Sequence, residues 1–280
     1  MLNLVRMERM RIFKSRSSFL ILLAVVLTSL LTLGIVHFAS KNISENVKQE
    51  EDLGQGQGEV SIDISTQGLE ELGNDGGDFI VSSFSQKNYI IFMIIFASLF
   101  FTGPYTHGYI KNFIGIGDNK KKYIISTFLV AGVYTIITFI LSALILTVLT
   151  PMINDGMFKI DDYRSLIKIL FVQLLSHLSF LSVILLVASI TRSLATSLLA
   201  SLLYAMIFFN LLVGLVNKLI GLIFKIGEDF TISNFINIGN ITNIGINSTN
   251  ADLLRASLVA LIIGILALSL ASVIIKKKDI

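Results

Sequence analysis

Residues 256–275 read ASLVALIIGILALSLASVII, twenty consecutive positions without a charged side chain. A helix needs about 20 apolar residues to cross the hydrocarbon core of a bilayer. Three lysines follow directly at 276–278, and basic residues beside an apolar run are typical of a cytoplasmic helix end. The stretch therefore predicts a membrane-spanning helix that ends on the cytoplasmic side.

Five further uncharged windows precede it, at 17–40, 88–110, 123–154, 169–191 and 193–217. Lipid offers the backbone no hydrogen-bond partner, so these windows are expected to be helical despite their many Ile and Val residues. The charged fraction is 15% and the mean hydropathy +0.80, whereas soluble domains carry about 25% charged residues. We predict an all-α polytopic membrane protein with six transmembrane helices, at about 18–38, 89–108, 123–149, 167–190, 194–214 and 255–275.

Lysine and arginine fix the expected orientation. If the N-terminus is cytoplasmic, the cytoplasmic segments hold 13 of the 22 basic residues and only 3 of the 19 acidic ones. The two sides then carry net charges of +10 and −7. With six crossings both termini are cytoplasmic, so we expect a multi-pass protein of the cell membrane.

Two long segments lie outside these windows. Residues 39–87 are acidic and Gly-rich and predict an external loop with one short strand at 59–64, where polar and apolar residues alternate. Residues 215–252 are rich in Asn, and GLVNKLIGLIFKIG at 214–227 is apolar but contains two lysines. We predict a break near 214–217 and a short re-entrant or interfacial helix before the last span.

Residues 1–16, MLNLVRMERMRIFKSR, mix basic and apolar side chains. They suit a helix on the cytoplasmic membrane surface, and the alternative is a positive patch that only sets topology. The basic residues of this segment are Arg6, Arg9, Arg11, Lys14 and Arg16.

A second cytoplasmic segment, GYIKNFIGIGDNKKKY at 108–123, follows Pro104, which should kink or end the second span. Apolar residues with a basic rim on a short cytoplasmic segment mark a contact surface, unless they only rest among the headgroups. The residues concerned are Ile110, Lys111, Asn112, Phe113, Ile114, Lys120, Lys121 and Lys122.

The order of these features resembles permease subunits of type-2 ABC exporters, including those of bacteriocin export and immunity (self-protection) systems. The resemblance covers nearly the whole chain and rests mainly on order and topology. The external loop after the first span is longer and more acidic than in the shortest members. The matching positions are Gly108, Ile110, Lys111, Asn112, Lys121, Lys122 and Tyr123.

This resemblance implies an interfacial elbow helix at 1–16 and a cytoplasmic coupling segment at 109–122 that docks on an ATPase. The chain has no Gly-x-x-x-x-Gly-Lys-Ser/Thr sequence, so it is expected to bind no cofactor, and ATP and Mg would sit on two copies of a separate ATPase subunit. A second permease subunit, identical or paralogous, is also implied. The lipid bilayer is the remaining partner, and no nucleic acid is expected. The resemblance suggests an amphipathic or hydrophobic cargo, such as an antimicrobial peptide.

Polar side chains inside the windows are few, and the fourth window gathers Gln173, Ser176 and His177. They either line a translocation path or form hydrogen bonds between helices, and the second interpretation is favoured. Small residues also lie along one face of the last window, which suits close packing of helices within the subunit or between subunits.

No catalytic pair or metal-ligand set is recognisable, so the chain is not expected to be an enzyme. The alternatives are a membrane sensor or assembly protein that uses residues 41–87 as a receptor, a secondary transporter and a membrane-embedded enzyme. No Asp, Glu, Lys or Arg lies in the middle of a predicted span, which counts against ion coupling.

Overall fold

Every regular element in the described part of the chain is a helix. The computed structural model describes residues 2–52, 76–85, 87–108, 119–153, 159–160, 162–224 and 231–277. The helices are α1 Leu2–Lys14, α2 Arg16–Asp52, α3 Gly76–Ser85, α4 Lys87–Thr106, α5 Asn119–Ile153, α6 Tyr163–Thr191, α7 Leu194–Leu203, α8 Phe209–Phe224, α9 Asn237–Asn243 and α10 Asn250–Lys277. A π-helical turn, Tyr204–Phe208, joins α7 to α8, and a short 3-10 helix, Ile232–Phe235, precedes α9.

Five helices among the described residues are long and apolar enough to cross a membrane. They are Arg16–Phe38, Gly76–Thr106, Lys120–Met152, Tyr163–Thr191 and Asn250–Lys277. The all-helical class is thus confirmed, whereas the count of six remains a prediction. The window at 193–217 is helical as well, because α7, the π-helical turn and α8 follow one another without a gap.

The segment between the first two predicted spans contains more helix than expected. Helix α2 continues past the apolar window to Asp52, through a stretch that has neither Gly nor Pro to end it. Helix α3 occupies the end of the segment, and its apolar side chains are buried against the bundle. No span was predicted at α3, because a helix of ten residues is too short to cross a membrane. The proposed strand at 59–64 lies outside the described residues.

The expected break near 214–217 is absent. Helix α8 runs through Gly214 and Asn217 to Phe224. In an apolar environment the helical hydrogen bonds are the only ones available to the backbone, so a single glycine does not end the helix. The irregularity lies earlier, in the π-helical turn. Two short helices, the 3-10 turn and α9, do precede the last span.

Helix α6 is the centre of the bundle. It packs most extensively against α10, and also contacts α4, α5, α7 and α9. The small residues of α10 form the contact face, since Ala256, Ala260, Ala267 and Ala271 are buried. A Cβ at Gly264 would come within 3.7 Å of Ser179 Cα on α6. The small-residue face therefore packs within the subunit.

Helix α1 does not project freely from the bundle. It packs against the first turns of α5, and Ile12 joins the same buried cluster as Phe96, Phe100 and Tyr123. Three of its other apolar side chains, Leu2, Met10 and Phe13, are exposed. One face of α1 is thus fixed to the bundle and the other is open.

Candidate functional site

The predicted elbow helix, α1, contacts the end of α4 through one side chain, Arg11. One guanidinium nitrogen, Nη1, lies 2.9 Å from Glu8 Oε2. The other, Nη2, donates a hydrogen bond of 2.6 Å to the carbonyl oxygen of Phe100 on α4. The guanidinium carbon also lies 3.9 Å from the centre of the Phe100 ring, in cation–π geometry. Arg11 therefore ties α1 to the end of α4.

The carbonyl that Arg11 contacts is one that the helix itself leaves without a donor. In an α-helix the carbonyl of residue 100 accepts from the amide of residue 104. Residue 104 is a proline within α4, and proline has no backbone N–H. Pro104 is buried, so water is a poor substitute for the missing amide. Arg11 supplies the donor, which explains why α1 docks at this turn.

Glu8 is the other member of this cluster and is fully buried. Burial raises the pKa of the Glu8 carboxyl to about 7, and the nearby Arg11 charge opposes that rise. The Tyr123 side chain at the start of α5 is also close enough to feel the Glu8 charge. The cluster thus joins α1, the end of α4 and the start of α5 through buried polar groups.

The other basic residues of the predicted elbow segment 1–16 are more exposed than Arg11. Arg6, Arg9, Lys14 and Arg16 are exposed, whereas Arg11 is half-buried. One cation of this segment thus contacts the bundle, and the other four are open to the surroundings. The sequence placed Arg11 with the others and gave no sign of its separate role.

Most of the proposed coupling residues lie outside the described residues. These are Ile110, Lys111, Asn112, Phe113 and Ile114. The basic cluster that follows them lies at the start of α5, where Lys121 and Lys122 are exposed and Lys120 is half-buried. On the chain before these residues α4 ends at Thr106, and on the chain after them α5 begins at Asn119.

The polar group predicted in the fourth window forms a second, separate cluster. Gln173 is fully buried, and its amide nitrogen donates to Ser85 Oγ at 2.9 Å. The same nitrogen lies 3.3 Å from the carbonyl oxygens of Val81 and Ile244. One side chain of α6 therefore joins α3 and the segment after α9, as the hydrogen-bonding interpretation requires.

Ser176 and His177 are buried beside it and bond within their own helix. Ser176 donates to the carbonyl of Val172, and His177 Nδ1 lies 2.8 Å from the carbonyl of Gln173. The His177 ring packs edge-on against Tyr89, with 5.1 Å between ring centres. All three side chains are fully buried.

Several anchoring contacts were not foreseen from sequence. The Tyr134 hydroxyl donates to the Ser18 carbonyl at 2.6 Å, which fixes the start of α2 against α5. The Arg192 guanidinium lies 5.7 Å from the centre of the Tyr105 ring, which links the end of α6 to that of α4. Aromatic residues among apolar neighbours carry no sequence signal that names their partners.

Neither the scan against protein-family models nor the search of curated proteins found a match for this chain. Among the described residues no three His, Cys, Asp or Glu side chains gather in a group that could hold a metal ion. The geometry provides a polar cluster around Arg11 at one end of the bundle and a second hydrogen-bonded cluster around Gln173.

Proposed function

We propose that the chain is the permease subunit of an ATP-driven exporter, in which a separate ATPase docks on residues 109–122. The observation that carries the proposal is the position of α1. It packs on the start of α5 and, through Arg11, holds the end of α4. These are the two helix ends that flank the proposed docking segment, so a force applied there would reach α1, α4 and α5 together.

Charge distribution supports the same assignment. Basic residues concentrate at 1–16, at 111–122 and at 276–278, which all lie on one side if the chain crosses the membrane six times. In this proposal α7, the π-helical turn and α8 together form one more crossing, which brings the total to six and is the fifth in chain order. Their combined apolar length is ample for one crossing, at roughly 1.5 Å of rise per residue.

The mechanism would be alternating access between two permease subunits. Closure of an ATPase pair, which binds ATP and Mg, would push on residues 109–122 and tilt α4 and α5. Because Arg11 holds α1 to α4, the elbow helix would move with them. The cluster around Gln173 lies in the opposite half of α4–α6 and would keep that side closed until the helices separate. The cargo would be amphipathic or hydrophobic, such as an antimicrobial peptide.

Affinity purification in mild detergent tests the proposal. The tagged chain is expressed with its genomic neighbours, and bound proteins are identified by mass spectrometry. We expect an ATPase to co-purify with the native chain and to be lost from the double variant Lys111→Glu/Phe113→Asp. The matched control is Lys159→Glu, which reverses an exposed charge on the side proposed to be external.

Three outcomes are informative. Loss of the ATPase from the double variant but not from the Lys159 variant supports docking at 109–122. Retention of the ATPase in both variants removes the docking assignment while leaving a transporter in place. If no ATPase binds the native chain, the exporter proposal fails and a membrane sensor or assembly protein that uses residues 41–87 becomes the better hypothesis.

A further inference from the structure

A cleft of about 380 Å³ opens between the α1–α2 junction and the end of α4. This volume is within the range of about 300–1,000 Å³ typical of small-molecule sites. Its lining is divided by character. The polar lining residues are Arg11, Ser15, Ser17, Ser18 and His107, and the apolar ones are Ile21, Phe96, Leu99 and Phe100.

Along both walls of the cleft, α2 and α4, the lining residues change from apolar to polar with position along the helix. On α2 the serines come first and Ile21 lies farther along the helix, toward the middle of the span. On α4 the direction is reversed: Phe96 lies within the span and His107 directly follows the helix end, roughly 15 Å farther along the axis. Both walls therefore change from apolar to polar toward the same end of the bundle.

We propose that this cleft binds the headgroup and upper acyl chain of an anionic phospholipid. The lipid phosphate would lie between the serine hydroxyls, Arg11 and His107, and one acyl chain would follow Ile21 and Phe96 toward the bilayer centre. Phe19 and Leu20, next to the cleft on α2, are 67% and 60% exposed, so this face of α2 is open to lipid.

Charge favours an anionic over a zwitterionic headgroup. Residues 2–16 contain five basic side chains and a single acidic one, Glu8, which is paired with Arg11. Basic pockets between helix ends at a membrane surface are suited to phosphate-bearing headgroups. The inference does not require an ATPase, a cargo or transport, and it holds whichever leaflet the cleft faces.

Native mass spectrometry of the full-length protein in detergent can test the site. Phosphatidylglycerol and phosphatidylcholine with identical acyl chains are titrated separately, and inorganic phosphate is added as a competitor. We expect the native chain to retain phosphatidylglycerol about tenfold more tightly than phosphatidylcholine, and millimolar inorganic phosphate to displace little of it because the acyl chain contributes to binding.

The test variant is Ser17→Glu, which places a negative charge in the cleft. Ser17 is exposed in the first turn of α2, where an acidic residue suits the helix dipole, so the fold should persist. The matched control is Ser193→Glu, an exposed serine outside the cleft whose side chain makes no capping hydrogen bond. His107→Glu serves as a second cleft variant.

We expect both cleft variants to bind phosphatidylglycerol about tenfold more weakly and the Ser193 variant to bind like the native chain. Equal retention of the two lipids by the native chain would overturn the proposal. Equal losses in the cleft and control variants would also overturn it, since that result indicates general surface attraction. Complete displacement by inorganic phosphate would show a simple anion site and reject the lipid.

Discussion

Arg11 donates a hydrogen bond of 2.6 Å to the carbonyl oxygen of Phe100, although the two residues are 89 positions apart in the chain. The bond occupies the acceptor that Pro104 cannot serve. A proline near the end of a membrane helix thus has a structural consequence beyond a kink: it exposes one carbonyl at a defined position, and the helix that precedes the first span binds there.

The first prediction is that the contribution of Arg11 to the free energy of unfolding depends on Pro104. Pro104→Ala restores a backbone N–H that can reach the Phe100 carbonyl. Arg11→Gln should therefore destabilise the native chain more than it destabilises the Pro104→Ala chain, by about 1.5–3 kcal/mol, a typical value for a hydrogen bond from a charged donor. The measurement is a double-mutant cycle on unfolding in detergent, followed by circular dichroism because the chain has no Trp.

The double-mutant cycle also corrects for the loss of the ion pair between Glu8 and Arg11. Arg11→Gln leaves Glu8 without its ion pair, but this loss occurs in both backgrounds and cancels in the difference. Additive single effects would mean that Arg11 and Pro104 act independently, and the explanation of the 2.6 Å bond would then be wrong.

The second prediction concerns the pH dependence of stability. Burial raises the pKa of Glu8 from 4.5 to about 7 in the folded chain. Between these values the folded state holds the proton more tightly than the unfolded state, so stability should fall as pH rises from about 4.5 to about 7 and then level off. Each pKa unit is worth about 1.4 kcal/mol.

Unfolding of the native chain and of Glu8→Gln should be compared across this range. Glutamine stays neutral, so the variant should lose this part of the pH dependence, and the three histidines contribute equally to both chains. The groups that face Glu8 are Arg11 on its own helix and Tyr123 on α5. Parallel pH curves for the two proteins would show that Glu8 is not responsible.

The extent to which sequence predicted this structure depends on the kind of interaction. Apolar windows predicted most helices because lipid requires the backbone to satisfy its own hydrogen bonds. Helix α3 was missed because burial against α5 and α6, rather than its length, stabilises it. The break expected near Gly214 did not occur, since propensity has little weight where water cannot replace a helical hydrogen bond.

The contacts of the candidate site were harder to predict from the sequence than the helices were. The basic character of residues 1–16 predicted a surface helix but could not distinguish Arg11 from Arg9 or Lys14, since only tertiary contacts separate them. Pro104 predicted a kink, yet the side chain that occupies the exposed carbonyl lies in another helix. The favoured interpretation of Gln173 agrees with its contacts, because a lone amide among apolar residues needs partners.

The third prediction concerns the side-chain amide of Gln173. Gln173→Leu should lower stability by about 1 kcal/mol, because one side chain bonds to α3 and to the segment after α9. The matched control is Asn240→Leu. Asn240 is equally buried, but its amide has no hydrogen-bond partner among the described residues, so its replacement should be neutral or stabilising. Equal losses in the two variants would contradict the assigned network.

The fourth prediction concerns the contact of Gly239 with Ser233. A Cβ at position 239 would overlap the backbone carbonyl of Ser233, and backbone cannot move aside as a flexible side chain can. Gly239→Ala should therefore destabilise the chain by about 1–3 kcal/mol, the usual cost of overpacking. In Gly214→Ala the same added methyl group meets no atom within 4 Å, and alanine favours a helix, so stability should be unchanged or slightly higher. Detergent unfolding of both variants separates the effect of the close contact from that of a methyl group alone. If Gly239→Ala is as stable as Gly214→Ala, the short helices before α10 do not pack as closely as the structure shows.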